Sequence, residues 1–208
     1  MAFSLISADD LFPTPLFRFE VAEASKLNAA LLKEIAARRK AEGGIKRSNR
    51  RGWHSDSDFF ERKEPAQAAL AQQILRMIAQ ATKSVAPDSD FSSIELVCDG
   101  WINANPRGAY NAPHHHIGAF WSGTYYVQVP DEGDRDAGAI EFLSPHKPLP
   151  GLGMIKAPVT AEKRQFRPKP GTALLFPASL LHWVHPNDSN SDRVTIAFNG
   201  RFRMKRPA

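Results

Sequence analysis

Apolar residues recur with two different periods along this chain, and the period changes near residue 90. From Glu23 to about Lys40, Leu27, Leu31 and Ile35 return every four residues, the spacing that stacks side chains on one face of a helix. Glu23 near its start and Arg38 to Lys40 near its end agree with the helix dipole, and Gly43 and Gly44 predict where it stops. Pro65 can open a second helix, whose stripe of Leu70, Ile74, Met77, Ile78 and Ala81 runs to about Val85. Ahead of both, Leu11 to Val21 alternates after two prolines, which predicts a strand beginning near Leu16. Ile45 to Lys63 has no period and predicts a long loop between the helices.

Beyond the turn at Pro87–Asp90 the period falls to two. Strands are expected over roughly Ser93–Ala104, His115–Gln128, Ala139–Phe142, Met154–Ala157, Ala173–Phe176, His182–His185 and Val194–Arg201. Asp131 to Gly138 reads as a solvated hairpin loop. Short strands preceded by two helices predict a mainly β fold, a jelly-roll or barrel-like double sheet with helices on one outer face. At 208 residues and 42% hydrophobic, the chain suits a single domain over 1–208. Residues 1–90 would supply the first strand, helices and loop, and 91–208 the jelly-roll core.

Composition narrows the setting. The lone Cys98 excludes an intrachain disulfide or a cysteine zinc cluster, fits a reducing cytoplasm, and reads as a small buried strand residue. No basic leader precedes an apolar run, and no stretch of 18 apolar residues occurs, so neither export nor a membrane partner is expected. The net charge of +5 gathers in Arg38–Arg51 and Arg201–Arg206. With no nucleic-acid module beside them, these read as solvated basic segments that would favour an anionic substrate, and no nucleic-acid partner is expected.

Candidate chemistry centres on NAPHHHIGAFWSGTYY, residues 111–126. In extended chain His114 and His116 share one face and His115 takes the other, which makes a two-pronged imidazole clamp needing a third ligand from elsewhere. His182 and His185 lie three apart and face opposite sides, so one of them can join. Eleven residues after His182 comes Arg193, on the same strand face as Thr195, while Val194, Ile196 and Phe198 point into packing. A guanidinium beside a hydroxyl suits a carboxylate, since the planar fork donates two parallel hydrogen bonds. Trp53 and His54 are candidate substrate-side residues, although a tryptophan more often anchors a loop to the core.

Taken together, NAPHHHIGAFWSGTYYV, GAIEFLSPH, LLFPASLLHWVHPN and RVTIAFN resemble the Fe(II)/2-oxoglutarate-dependent dioxygenases, and more closely their small bacterial and phage 2OG-Fe(II) oxygenases. The resemblance covers about Leu96 to Phe202 well and RRGWHSDSDF weakly. It implies a double-stranded β-helix, a cupin-like jelly roll, with His114 and His182 on iron and Arg193 on the distal carboxylate of 2-oxoglutarate. Thr195, Asn103 and Tyr126 would be further cosubstrate contacts. The implied reaction hydroxylates a small-molecule or peptide substrate, with succinate and carbon dioxide as co-products.

One position departs from that family's pattern, for His116 stands where its His-x-Asp carries a carboxylate. Either His116 is the third ligand, or an acid such as Asp131 or Glu141 substitutes, or the site has two protein ligands. A cupin-type three-histidine enzyme without 2-oxoglutarate, and a non-enzymatic ligand-binding barrel, are the competing readings. The segment Gly43 to Lys63 is the candidate lid, and apolar sheet edges leave pairing into a homodimer open.

Overall fold

The computed structural model describes residues 3–130, 136–146, 154 and 157–205. In chain order the elements are β1 (Phe17–Glu20), α1 (Ala24–Ala41), β2 (Asn49–Arg50), β3 (Trp53–His54), α2 (Pro65–Val85), β4 (Ile94–Asn105), β5 (Tyr110–His114), β6 (Trp121–Gln128), β7 (Ile140–Leu143), β8 (Lys163–Phe166), β9 (Thr172–Pro177), β10 (His182–Val184) and β11 (Arg193–Met204). Every strand pairing is antiparallel. The larger sheet runs β1-β9-β6-β11-β4-β3 and the smaller β2-β5-β10-β7-β8, the double sheet that the change of period predicts.

Alternation decides what each face of the larger sheet does. Ile102, Ala104, Tyr125, Val127, Ala173, Leu175, Val194, Ile196 and Phe198 turn outward and pack with Leu31, Ile35, Leu70, Ile74 and Ile78 of the helices. Polar ties fix that contact: the Tyr125 hydroxyl donates to Asn28 Oδ1 at 2.7 Å and Trp121 Nε1 to Thr82 Oγ1 at 2.9 Å. α2 has no cap of its own, so Glu34 of α1 accepts from the backbone N–H groups of Ala66 and Gln67 and satisfies two of its orphan donors. The opposite face meets the smaller sheet, where Tyr126, Ile140, Phe142, Leu174, Phe176, Leu180 and Val184 form a second core.

Several boundaries differ from the sequence expectation. α1 stops at Ala41, ahead of the two glycines, because Glu42 already turns to extended backbone (φ −122°, ψ 130°). The expected strand over His115–Gln128 starts only at Trp121, and a turn occupies Ile117–Gly118. Ile45–Lys63 is not a bare loop: β2 pairs with β5 in the smaller sheet, β3 with β4 in the larger, and Phe59–Glu61 makes a 3-10 turn. Two-residue strands are too short to show a period, which is why the pattern missed them.

The cations of the basic segments are largely exposed, as expected, with Arg38 as the buried exception. Arg38 is buried between Glu42 and Asp58, Arg39 pairs with Asp192, and Arg201 and Arg203 pair with Asp99 and Glu95. Cys98 is half-buried on β4, and burial pushes its thiol up to about 12. Asp131, most of the Asp131–Gly138 segment, half of the expected Met154–Ala157 strand (whose described ends, Met154 and Ala157, are not in a strand), and Arg206 lie outside the described residues. Among the described residues no helix is long and apolar enough to cross a membrane.

Candidate metal centre

His114 closes β5 and His182 opens β10, and the two are direct cross-strand partners with ring centroids 4.4 Å apart. A register shift in β10 after His182 accompanies this pairing. Past the end of β5 the His116 N–H donates to the Ala178 carbonyl at 2.8 Å, and the chain then turns at Ile117–Gly118. His116 therefore returns to the side of His114, with centroids 5.0 Å apart, and comes within 5.3 Å of His182. His115 is exposed. One nitrogen from each of His114, His116 and His182 lies within 4.8 Å of the others.

The backbone orients two of these rings. His114 Nδ1 meets the Ala112 carbonyl at 2.7 Å and His182 Nδ1 the Leu180 carbonyl at 2.8 Å. A carbonyl can only accept, so each Nδ1 carries the proton and each Nε2 keeps its lone pair for the space between the rings. Burial, with the neighbouring His114 adding to it, holds His116 down at about 4 and His182 at about 3, and burial lowers His114 as well. Three neutral donors at neutral pH are what a divalent transition metal needs, since a protonated imidazole cannot coordinate.

Behind the histidines the same cavity is lined by Asn103, Arg193 and Thr195. Arg193 is 2% exposed; its Nη1 reaches Thr195 Oγ1 at 3.4 Å and its guanidinium lies 5.1 Å from the centre of the Tyr126 ring. Gly138 makes room for it, because a Cβ there would stand 3.0 Å from Arg193 Cδ. No carboxylate pairs with this arginine among the described residues, and Arg193 Nε and Asn103 Oδ1 are both buried without a hydrogen-bond partner. Each such atom costs about 1–3 kcal/mol. Two of them on residues that line one cavity suit an anionic ligand with several oxygens, and a dicarboxylate fits that description. Burial lowers the Arg193 guanidinium from its ordinary value, but an arginine remains a cation.

Glu141 does not join the imidazoles. Its register partner on β10 is Trp183, one residue out of phase with His182, so its carboxylate takes Trp183 Nε1, Lys163 Nζ and His185 Nε2 on the far face of the sheet. His185 is thus engaged elsewhere, as its spacing from His182 predicts, and Asp131 lies outside the described residues. Trp53 donates from Nε1 to the Glu42 carbonyl and anchors its segment to the helix-side core.

Sequence reasoning named His54 as a substrate-side candidate but missed the rest of the wall it belongs to. His54 is buried and stacks on Trp101 at 5.5 Å and 9°, and Trp101 in turn lies 5.6 Å from His116. Phe176 and Phe142 border His182 on another side, 4.8 and 5.9 Å from its ring. Strand parity could have found Trp101, which sits two residues from Asn103, but nothing in the sequence pairs it with His54 on a two-residue strand.

A jelly roll with three converging imidazoles and a buried arginine behind them defines a class, the metal-dependent double-stranded β-helix proteins. Residues 99–199 match the model of the family described as "Putative 2OG-Fe(II) oxygenase". No curated protein matches in sequence. Solved structures agree in fold. The viral collagen prolyl hydroxylase of Paramecium bursaria Chlorella virus-1, in its 2-oxoglutarate complex, is 16% identical with a TM-score of 0.58, over 91% of this chain and 96% of that one. A Trichoplax adhaerens prolyl hydroxylase bound to a hypoxia inducible factor peptide is 14% identical with a TM-score of 0.62, over 89% and 83%. HygX of Streptomyces hygroscopicus, with nickel and 2-oxoglutarate, is 13% identical with a TM-score of 0.60, over 90% and 83%.

Proposed function

We propose that this chain is a cytoplasmic Fe(II)- and 2-oxoglutarate-dependent dioxygenase that hydroxylates a small-molecule or peptide substrate. The observation that carries the reading is Arg193, a buried cation with no acid paired to it among the described residues, facing the same cavity as three neutral imidazoles. His114, His116 and His182 would hold the metal through lone pairs that the backbone and burial keep free of protons. Arg193, with Thr195, Asn103 and Tyr126 around it, would bind the far carboxylate of 2-oxoglutarate and so set the direction in which the cosubstrate points. When bound, iron and 2-oxoglutarate supply the oxidising chemistry, with dioxygen consumed, succinate and carbon dioxide released and a C–H bond converted to an alcohol.

The protein's own work is positioning and exclusion. Trp101, Phe176, Ile140 and Val184 wall the cavity with apolar surface, which keeps bulk water from the reacting atoms. Exposed Lys46, Arg47, Arg50 and Arg51 lie on the segment bordering β5, and their charge favours an anionic substrate. The neighbours that hold 2-oxoglutarate share this fold, and two of those named are prolyl hydroxylases, which supports a peptide as one substrate class. Three histidines without a carboxylate among the described residues would equally suit a metal enzyme that uses no 2-oxoglutarate; Arg193, which pairs with no acid there, favours the cosubstrate.

Anaerobic titration separates these readings. Fe(II) followed by 2-oxoglutarate is expected to give a visible metal-to-ligand charge-transfer band with one-to-one stoichiometry. Iron bound tightly with no band on adding 2-oxoglutarate would remove the cosubstrate assignment and leave the metal site standing.

A further inference from the structure

Residues 3–14 form no helix or strand and every one of them is exposed. Phe3, Leu5, Ile6, Leu11 and Phe12 are 78 to 109% exposed. Five large apolar side chains within ten residues, interrupted by Asp9 and Asp10, are not the composition of a chain selected to stay in water. Pro13 and Pro15 fix extended backbone between this arm and β1, so the arm leaves the body in a semi-rigid direction.

At the root of the arm the two sheets part. β1 is the edge of the larger sheet and β8 the edge of the smaller, and between them lies a cleft of about 380 Å³. Its apolar surface comes from Phe19, Phe166 and Leu174, and its charge from Arg18, Arg167 and Lys169 against one acid, Glu20. Arg18 lies over the Phe166 ring, 6.0 Å from its centre, and Arg167 is anchored to the Pro130 carbonyl, so two of the cations are held at the rim. The cleft is thus apolar and basic where the arm is apolar and acidic. Its volume admits a few side chains rather than a folded element.

We propose that the arm of one chain docks in this cleft of a second copy, and that the second copy's arm returns the contact. Leu5 and Ile6 supply apolar anchors and Asp9 and Asp10 face Arg18 and Lys169. Reciprocal exchange of this kind closes a two-fold dimer and covers the sheet edges β1 and β8, which otherwise present unpaired backbone. A second copy is the occupant because the arm lies clear of its own cleft although its root, Leu16, packs in the cluster that contains Phe166 and Leu174. The inference stands independently of the oxygenase reading.

Sedimentation velocity on the full chain tests it with a charge exchange. The unmodified chain is expected to be a dimer at micromolar concentration. Asp9→Lys with Asp10→Lys, and separately Arg18→Glu with Lys169→Glu, should each weaken self-association about tenfold or more, while an equimolar mixture restores the dimer because both arm–cleft pairs are then complementary. Leu5→Ser with Ile6→Ser, in an arm without packed contacts, should also yield monomer with an unchanged thermal transition of the body. A monomeric unmodified chain, a dimer indifferent to both charge variants, or a mixture that stays monomeric would overturn the proposal.

Discussion

His116 sits past the end of its strand, and its position rests on backbone hydrogen bonds with Ala178 and Ala119 rather than on a sheet ladder. His114 and His182, by contrast, are locked as cross-strand partners. If all three are ligands, His116→Ala should lower Fe(II) affinity at least about tenfold while Arg193→Ala leaves it unchanged and weakens 2-oxoglutarate instead. Equilibrium metal titration and the charge-transfer band read the two effects separately. Acid should act on the same residues. The folded values near 4 and 3 for His116 and His182 lie below the ordinary 6.5, so the unfolded chain binds more protons in that window. Stability of the metal-free protein is full above about pH 6.5 and falls as the pH drops toward 4, by at most about 1.4 kcal/mol per pH unit for each histidine. Urea midpoints across that range measure the slope, and His182→Gln should flatten it. The sequence made this much readable because His-x-His, His182 and the Arg193 and Thr195 face are strand-parity statements, and parity survives folding. It could not say that Glu141 is out of phase with His182, since that depends on register.

At the level of elements, β6 carries the site and the core at once. Its odd positions Trp121 and Tyr125 meet the helices, while Ser122 and Thr124 line the cavity. Gly123 between them has no room for a side chain, since a Cβ would stand 2.6 Å from the Leu174 carbonyl oxygen and collide with the Phe198 ring. Backbone of a central strand cannot yield as a long side chain can. Gly123→Ala is therefore expected to destabilise by about 1–3 kcal/mol or more, seen as a lower urea midpoint with the slope of the transition unchanged. The long strands and both helices were legible from periodicity alone. β2 and β3 were not, because two residues carry no period and their pairing is dictated by the strands they join.

Across the whole molecule, two cores of different character share the larger sheet. The helix-side core is dry and continuous, whereas the face between the sheets breaks off into a cavity holding unpartnered polar atoms. Ligands that satisfy those atoms bind only the folded state, so Fe(II) and 2-oxoglutarate together should raise the melting temperature. At a hundredfold excess over the dissociation constant the gain is about 2.7 kcal/mol, or about 5–10 °C for a chain of this size, and Arg193→Ala should remove the 2-oxoglutarate increment alone in differential scanning fluorimetry. The layer architecture followed from the switch of period near residue 90. The cleft between β1 and β8 did not, because it arises where two edges fail to meet.

The segment first read as a lid has a different mechanical meaning. β2 belongs to one sheet and β3 to the other, with only Arg51 and Gly52 between them, and the Ser55 hydroxyl accepts from the Ile102 N–H beyond. To swing away, this segment would have to unzip from both sheets simultaneously, so it behaves as a clasp across the end of the roll. Amide protons at Asn49, His54 and Ser55 should accordingly exchange as slowly as those of the sheets they fasten, while the Ile117–Ala119 turn exchanges fast.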